Sequence, residues 1–254
     1  MRVPTSLLAI AAAALAAVLV IAKLPLAAVV GWAGLEKGGL SYARAEGTLW
    51  DGRLIGARAN GHDLGDVDVA ADPMALLGGR ARLTFAIDGD GVLGRGGASI
   101  GLDRKVVVED ARFVVDLSRF AYYFSRLSFS GVVEADVDRV VFGPRGCERA
   151  EARVATDALK ETAEAMRGEA PSLAGPLRCD GDALVVDLEG GEEADRIVMS
   201  LRLDPDLSYA LRLSVRTQDP SLSSLLPMLG FAGADESFSY ALDGRLAAAR
   251  GGQS

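Results

Sequence analysis

The chain has 254 residues, half of them hydrophobic and about a quarter charged, the balance of one globular domain or at most two. Acidic residues outnumber basic ones 35 to 27, so the basic face that neutralises nucleic-acid phosphates is missing. A single histidine, His62, argues against a multi-histidine zinc centre and against His-dependent triads.

In chain order, the first element is a charge-free stretch over residues 3–22, continuously Leu/Ala/Val/Ile over 7–20. About 20 apolar residues span a bilayer as a helix. Arg2 before it and Lys23 after it favour a cytoplasmic N-terminus. An uncleaved anchor is the favoured reading. A cleaved signal peptide needs a small-residue site close to a shorter apolar core, and Lys23 followed by a second apolar run, 24–35, leaves none. A buried core helix would need a polar face, which this run lacks. The expected organisation is a cytoplasmic tip, transmembrane anchor and juxtamembrane segment over 1–34, then an exported β-rich domain over 35–254.

From Gly38 onward apolar and polar residues alternate. Ala81, Leu83, Phe85 and Ile87 form one such set; Val133, Ala135 and Val137 another. Ile197, Met199, Leu201 and Leu203 share one face, as do Tyr209, Leu211, Leu213 and Val215 after the turn sequence Asp204-Pro205-Asp206. Period two predicts antiparallel strands wet on one face. Hairpins are expected at Asp88-Gly89-Asp90-Gly91, Asp180-Gly181-Asp182 and Asp243-Gly244.

Four short helical signals interrupt the strands. They lie at Asp72 to Gly78, at Ser118 to Phe124, over 157–167, and from Asp219-Pro220 to Gly230, where Pro227 should stop the helix early. The fold class is therefore mainly β: an N-terminal transmembrane helix, then a curved, mostly antiparallel sheet with short helical crossovers. A closed barrel and a two-sheet sandwich would use the same strands.

The Asp-Gly-Asp stretches lack the twelfth-position Glu of a calcium loop and read as turns. Gly94-Arg95-Gly96-Gly97-Ala98 opens no helix, so it reads as a turn or bulge rather than a phosphate cradle. His62, in Asn60-Gly61-His62-Asp63, reads as a solvated turn residue. Cys147 and Cys179 are the only cysteines, each expected at the start of a strand. In an exported domain a disulfide is the natural pairing, with two buried thiols as the alternative. Two apolar stripes, Phe120, Tyr123 and Phe124, and Leu222, Leu225 and Leu226, are either partner- or lipid-facing surfaces or simply packed on their own sheet. No nucleophile–base pair, metal set or cofactor motif emerges, which points away from an enzyme.

The stretch Glu46-Gly47-Thr48-Leu49-Trp50-Asp51-Gly52-Arg53, just past the apolar run, resembles the opening of the type II secretion system protein N family, also called general secretion pathway protein N. Asp72-Pro73-Met74-Ala75-Leu76-Leu77-Gly78-Gly79-Arg80 resembles that family's Pro–small–Leu-Leu–Gly-Arg segment. The cysteine pair behind Leu173 to Cys179, and Asp219-Pro220 with Leu225-Leu226-Pro227-Met228-Leu229-Gly230-Phe231, fit it as well. The resemblance implies a single-pass inner-membrane accessory protein with its bulk in the periplasm, contacting other secretion subunits, with no catalytic residues and no cofactor. Gly47, Thr48, Leu49, Trp50 and Gly52 are then expected to be structural. The rival expectation is an AsmA-like or bridge-like lipid carrier, with acyl chains along the apolar face.

Overall fold

The computed structural model describes residues 22–34, 39–59, 62–119, 131–160 and 170–245. All but the last residue of the expected membrane span lies outside them, and no helix among the described residues is long and apolar enough to cross a membrane.

Helix α1 (Leu26–Ala33) leads into a single sheet of fifteen strands among the described residues. They are β1 (Leu40–Ser41), β2 (Arg44–Thr48), β3 (Asp51–Ala59), β4 (His62–Ala71), β5 (Arg80–Gly89), β6 (Val92–Gly101), β7 (Val106–Asp116) and β8 (Val132–Gly143). There follow β9 (Gly146–Thr156), β10 (Leu173–Asp180), β11 (Ala183–Gly191), β12 (Arg196–Leu203), β13 (Ser208–Arg216), β14 (Ala232–Ala234) and β15 (Ser237–Arg245). Spatial order follows chain order from β3 to β13, then β15 and β14; β1 and β2 both pair with the outer edge of β3. Every pairing is antiparallel and the sheet stays open.

The period-two pattern explains why one face is apolar throughout. Register places Leu54, Val67, Ile87, Gly94, Phe113, Ala135, Val154 and Gly175 on one line across eight strands. Leu188, Met199, Leu213 and Tyr240 form a similar line further on. The opposite face is laced by cross-strand ion pairs such as Arg53–Asp68, Arg139–Glu109 and Arg178–Asp187. Their arginines are solvent-exposed and each pair is worth little singly, about 0–1 kcal/mol.

Two hairpins fall at the expected places. The β5–β6 turn is Asp90-Gly91, with Gly91 at φ 99°, and the β10–β11 turn is Gly181-Asp182, with Gly181 at φ 62°. The third expectation is corrected: Asp243-Gly244 lies inside β15. Gly244 is there because the Tyr209 ring lies across it; a Cβ would sit 2.6 Å from that ring. The Gly-rich stretch 94–98 lies inside β6, with a bulge between Arg95 and Gly97. Gly94 leaves room for the Phe113 ring, and a Cβ on Gly96 would sit 2.4 Å from that of Ala111.

The crossovers also need correction. Helix α2 (Pro73–Leu77), capped by Asp72 through Met74 N at 2.8 Å, joins the adjacent antiparallel strands β4 and β5. Antiparallel neighbours need only a return at the sheet's end; crossovers serve parallel ones. Helix α3 (Pro220–Leu225) and the 3-10 turn Leu226–Leu229 do pass one strand position, carrying the chain from β13 to the edge strand β14. The change of helix type comes just before Pro227, and Gly230 ends the turn at φ 92°.

Two cores form. The smaller is Leu26, Val30, Leu54, Ala57 and Val67, at the α1 end. The larger is Val154, Leu173, Leu188, Ile197, Val215, Leu226 and Phe238.

Candidate functional site

The motif around Trp50 builds a clamp for the chain arriving from the apolar N-terminal run. β2 and β3 form a hairpin whose two-residue loop is Leu49-Trp50, with Thr48 opposite Asp51 and Gly47 opposite Gly52. Asp51 N donates to Thr48 Oγ1 at 3.3 Å. Gly47 has φ 77°, and a Cβ there would lie 2.4 Å from the Asp51 carbonyl oxygen, so a side chain is excluded twice over. Gly52 answers both to the hairpin, where a Cβ would lie 2.5 Å from the Thr48 carbonyl oxygen, and to helix α1. Its missing side chain lets Leu26 approach; a Cβ would be 2.8 Å from Leu26 Cδ2.

Backbone bonds complete the clamp. Leu49 N donates to Leu24 O at 3.0 Å, Pro25 bridges Thr48 in antiparallel fashion, and Ala71 N donates to Leu49 O at 2.9 Å. The Leu49 peptide thus ties the entering chain on one side to the end of β4 on the other. Helix α1 then lays Leu26 and Val30 onto Leu54, Ala57 and Val67, while Trp32 stays exposed. Trp50 is half-buried at the loop.

In the middle of the strand order, Cys147 and Cys179 join β9 to β10 by a disulfide with Cα atoms 5.6 Å apart. One positional expectation is corrected. Cys147 is near the start of β9, but Cys179 is near the end of β10. Adjacent strands run antiparallel, so the starts of both would lie at opposite ends of the sheet, beyond the reach of a disulfide. Cys147 N also donates to Asp182 O at 2.8 Å.

His62 opens β4 opposite Ala59 and is half-buried. Leu226 is buried and Leu222 packs against the larger core, while Leu225 is half-buried. Phe120, Tyr123 and Phe124 lie outside the described residues. Among the described residues no group of three or more His, Cys, Asp or Glu is placed to hold a metal ion.

Shifted carboxylates on the polar face and in turns are held charged, and Arg53, Lys105 and Arg202 are raised by their carboxylate partners. Asp206 is brought down to about 2 by the Ser208 hydroxyl, then by Ser208 N and Arg245. Asp187 is lowered first by the Ser200 hydroxyl and then by Arg178, and Asp68 by Arg53. The sequence showed charges at every second position but not these pairings, because the partners come from other strands. The clamp was hidden for the same reason: Leu24, Leu49 and Ala71 meet through backbone atoms, which carry no side-chain signal.

A family model described as type II secretion system (T2SS), protein N, matches residues 38–241. No curated protein and no solved structure matches the chain.

Proposed function

The chain belongs to the type II secretion system protein N family, an accessory component of that machinery, and we propose that it works there from the inner membrane by protein–protein contact in the periplasm. The match over 38–241, which covers nearly the whole sheet, is the observation that carries this reading. The anchor is residues 3–22, charge-free between Arg2 and Lys23. The disulfide suits an oxidising compartment. The role is contact, without catalysis.

The contact surface we propose is the outer edge of β15. β14 covers it only at Ser237 to Ser239. The bond from Thr217 N to Glu236 O sets the alternation along the β13–β15 ladder. It follows that Ala241, Asp243 and Arg245 turn their backbone N–H and C=O outward, where a partner's extended strand can add.

The test places a photo-crosslinking amino acid at Asp243 in cells carrying the secretion system. Adducts with other secretion subunits are the expected result; their absence, with the protein present and folded, overturns the edge. Protease shaving of spheroplasts tests the topology separately: protection of the sheet would mean that it faces the cytosol. The family match gives no support to a lipid carrier, and phospholipid retained in native mass spectrometry would reinstate that rival.

A further inference from the structure

We infer that the rim of the sheet beside the clamp rests in the surface of an anionic bilayer, with Leu102 and the tip of α2 as its apolar contacts. This rests on the proposed anchor, which brings the chain out of the membrane at Leu24.

The rim is continuous. From Leu24 O the contact passes to Leu49 N, from Leu49 O to Ala71 N, and from Asp72 into α2 as its cap. At the far end of α2 the position of a Cβ on Gly79 is 3.6 Å from Leu102 Cδ1, so the β6–β7 turn touches the α2 connection. In this antiparallel meander the β2–β3, β4–β5 and β6–β7 connections all lie at one end of the strands.

That end exposes large apolar side chains on two separate elements. Met74 is 71% exposed and Leu76 44% on α2, and Leu102 is 91% exposed at the apex of its turn. The turn is held firmly: Arg104 N donates to Gly101 O at 3.0 Å and Lys105 N to Asp103 Oδ1 at 3.2 Å. Leu102 is therefore presented to solvent by a built loop.

Charge selects the partner. Arg80, Arg82 and Arg104 are exposed beside these tips and make no ion pair among the described residues. Lys105 is paired with Glu148 at 2.6 Å, the acids Asp72 and Asp103 are engaged with backbone N–H groups, and Asp51 is exposed on the clamp hairpin. The opposite end of the same strands carries Asp63, Asp66, Asp88, Asp90 and Asp116 against Arg58 and Arg119. An overall acidic protein thus turns a charge-balanced, apolar rim with three unpaired guanidinium groups toward its anchor and an acidic end away. Apolar tips flanked by guanidinium groups suit the boundary of an anionic bilayer, with leucine and methionine among acyl chains and arginine at the phosphates. Trp32 is exposed as well, but α1 runs antiparallel to β2 from the bridge at Pro25, away from this end.

The experiment uses the full chain reconstituted into vesicles of phosphatidylcholine, alone or mixed with phosphatidylglycerol. An environment-sensitive dye is attached to Leu102→Cys, or to Asp90→Cys at the opposite end, with the native disulfide intact. The expected result is a blue-shifted emission from position 102, quenched by nitroxide lipids and stronger with phosphatidylglycerol, and neither response from position 90. In an Arg80→Gln, Arg82→Gln, Arg104→Gln variant the preference for phosphatidylglycerol is lost. Equal behaviour of the two positions overturns the inference. Alkaline carbonate extraction of the same samples reads the anchor independently. Resistance without quenching leaves the anchor standing and removes the rim; quenching in extractable protein removes the anchor and keeps the rim.

Discussion

The two ends of the strand order are held together by different physics. At the α1 end, five buried residues form a small core, and backbone bonds from Leu49 together with the bare surfaces of Gly47 and Gly52 fix the geometry. Over the far half, seven buried residues form a core from β9 to β15, a disulfide joins β9 to β10 at its near edge, and Leu226 pins the helical connection to the sheet. The clamp depends on close approach, which any added atom spoils. The far lobe depends on buried volume and a covalent staple, which lost atoms weaken. In an open meander each strand bonds mainly to its neighbours, so damage at one end should stay there, as in quasi-one-dimensional proteins.

Four perturbations break or sharpen this contrast. The largest effect is expected from the Cys147→Ala, Cys179→Ala double variant. The bridge closes a separation of 32 residues, and its loss should cost about 3–4 kcal/mol in the chain-entropy model. Hydrogen exchange should accelerate in β9 to β11 and leave β3 and β4 unchanged; an equal response at both ends would refute the local picture.

Leu188→Ala removes a side chain that is 2% exposed at the centre of the larger core. A loss of about 2–5 kcal/mol is expected in denaturant unfolding, again confined to the far lobe. Gly47→Ala acts at the other end. A left-handed backbone and a 2.4 Å clash should cost about 1–3 kcal/mol and free the Leu49 N–H, read as faster exchange there with the disulfide lobe unmoved.

The smallest effect is acid loosening of the β12–β13 turn. Asp206 sits near 2, below the ordinary carboxylate value of about 3.9, so its folded-state interactions favour the charged form. Their stabilisation is complete above about pH 4 and fades as pH falls toward 2. Carboxyl NMR should show Asp206 titrating below the ordinary carboxylate value. Arg245→Gln should raise its value only in part, because Ser208 supplies the larger contribution.

The apolar–polar alternation of β5, β8, β12 and β13 was legible because a half-buried antiparallel strand must repeat every second residue. The turns at Asp90-Gly91 and Gly181-Asp182 were legible because left-handed backbone selects glycine locally. Gly244 misled for an instructive reason: glycine next to aspartate signals a turn, but this one answers to the ring of Tyr209, 35 positions earlier in the chain. The helical connections were found, but their role depended on the direction of the strands they join, which local pattern does not encode.

Residue order alone thus determined the alternating strands β5, β8, β12 and β13, which of their side chains share a face, and which two sulfurs were available to pair. It also carried the family signature, in the spacing of the Gly47–Gly52 motif from the apolar run. Only the folded chain decided that the sheet stays open, that Leu24, Leu49 and Ala71 meet, and that Cys179 belongs at a strand's end. Those outcomes arise from backbone hydrogen bonds between distant segments and from the direction of neighbouring strands. Peptide groups are chemically alike at every position, so side-chain pattern cannot name their partners.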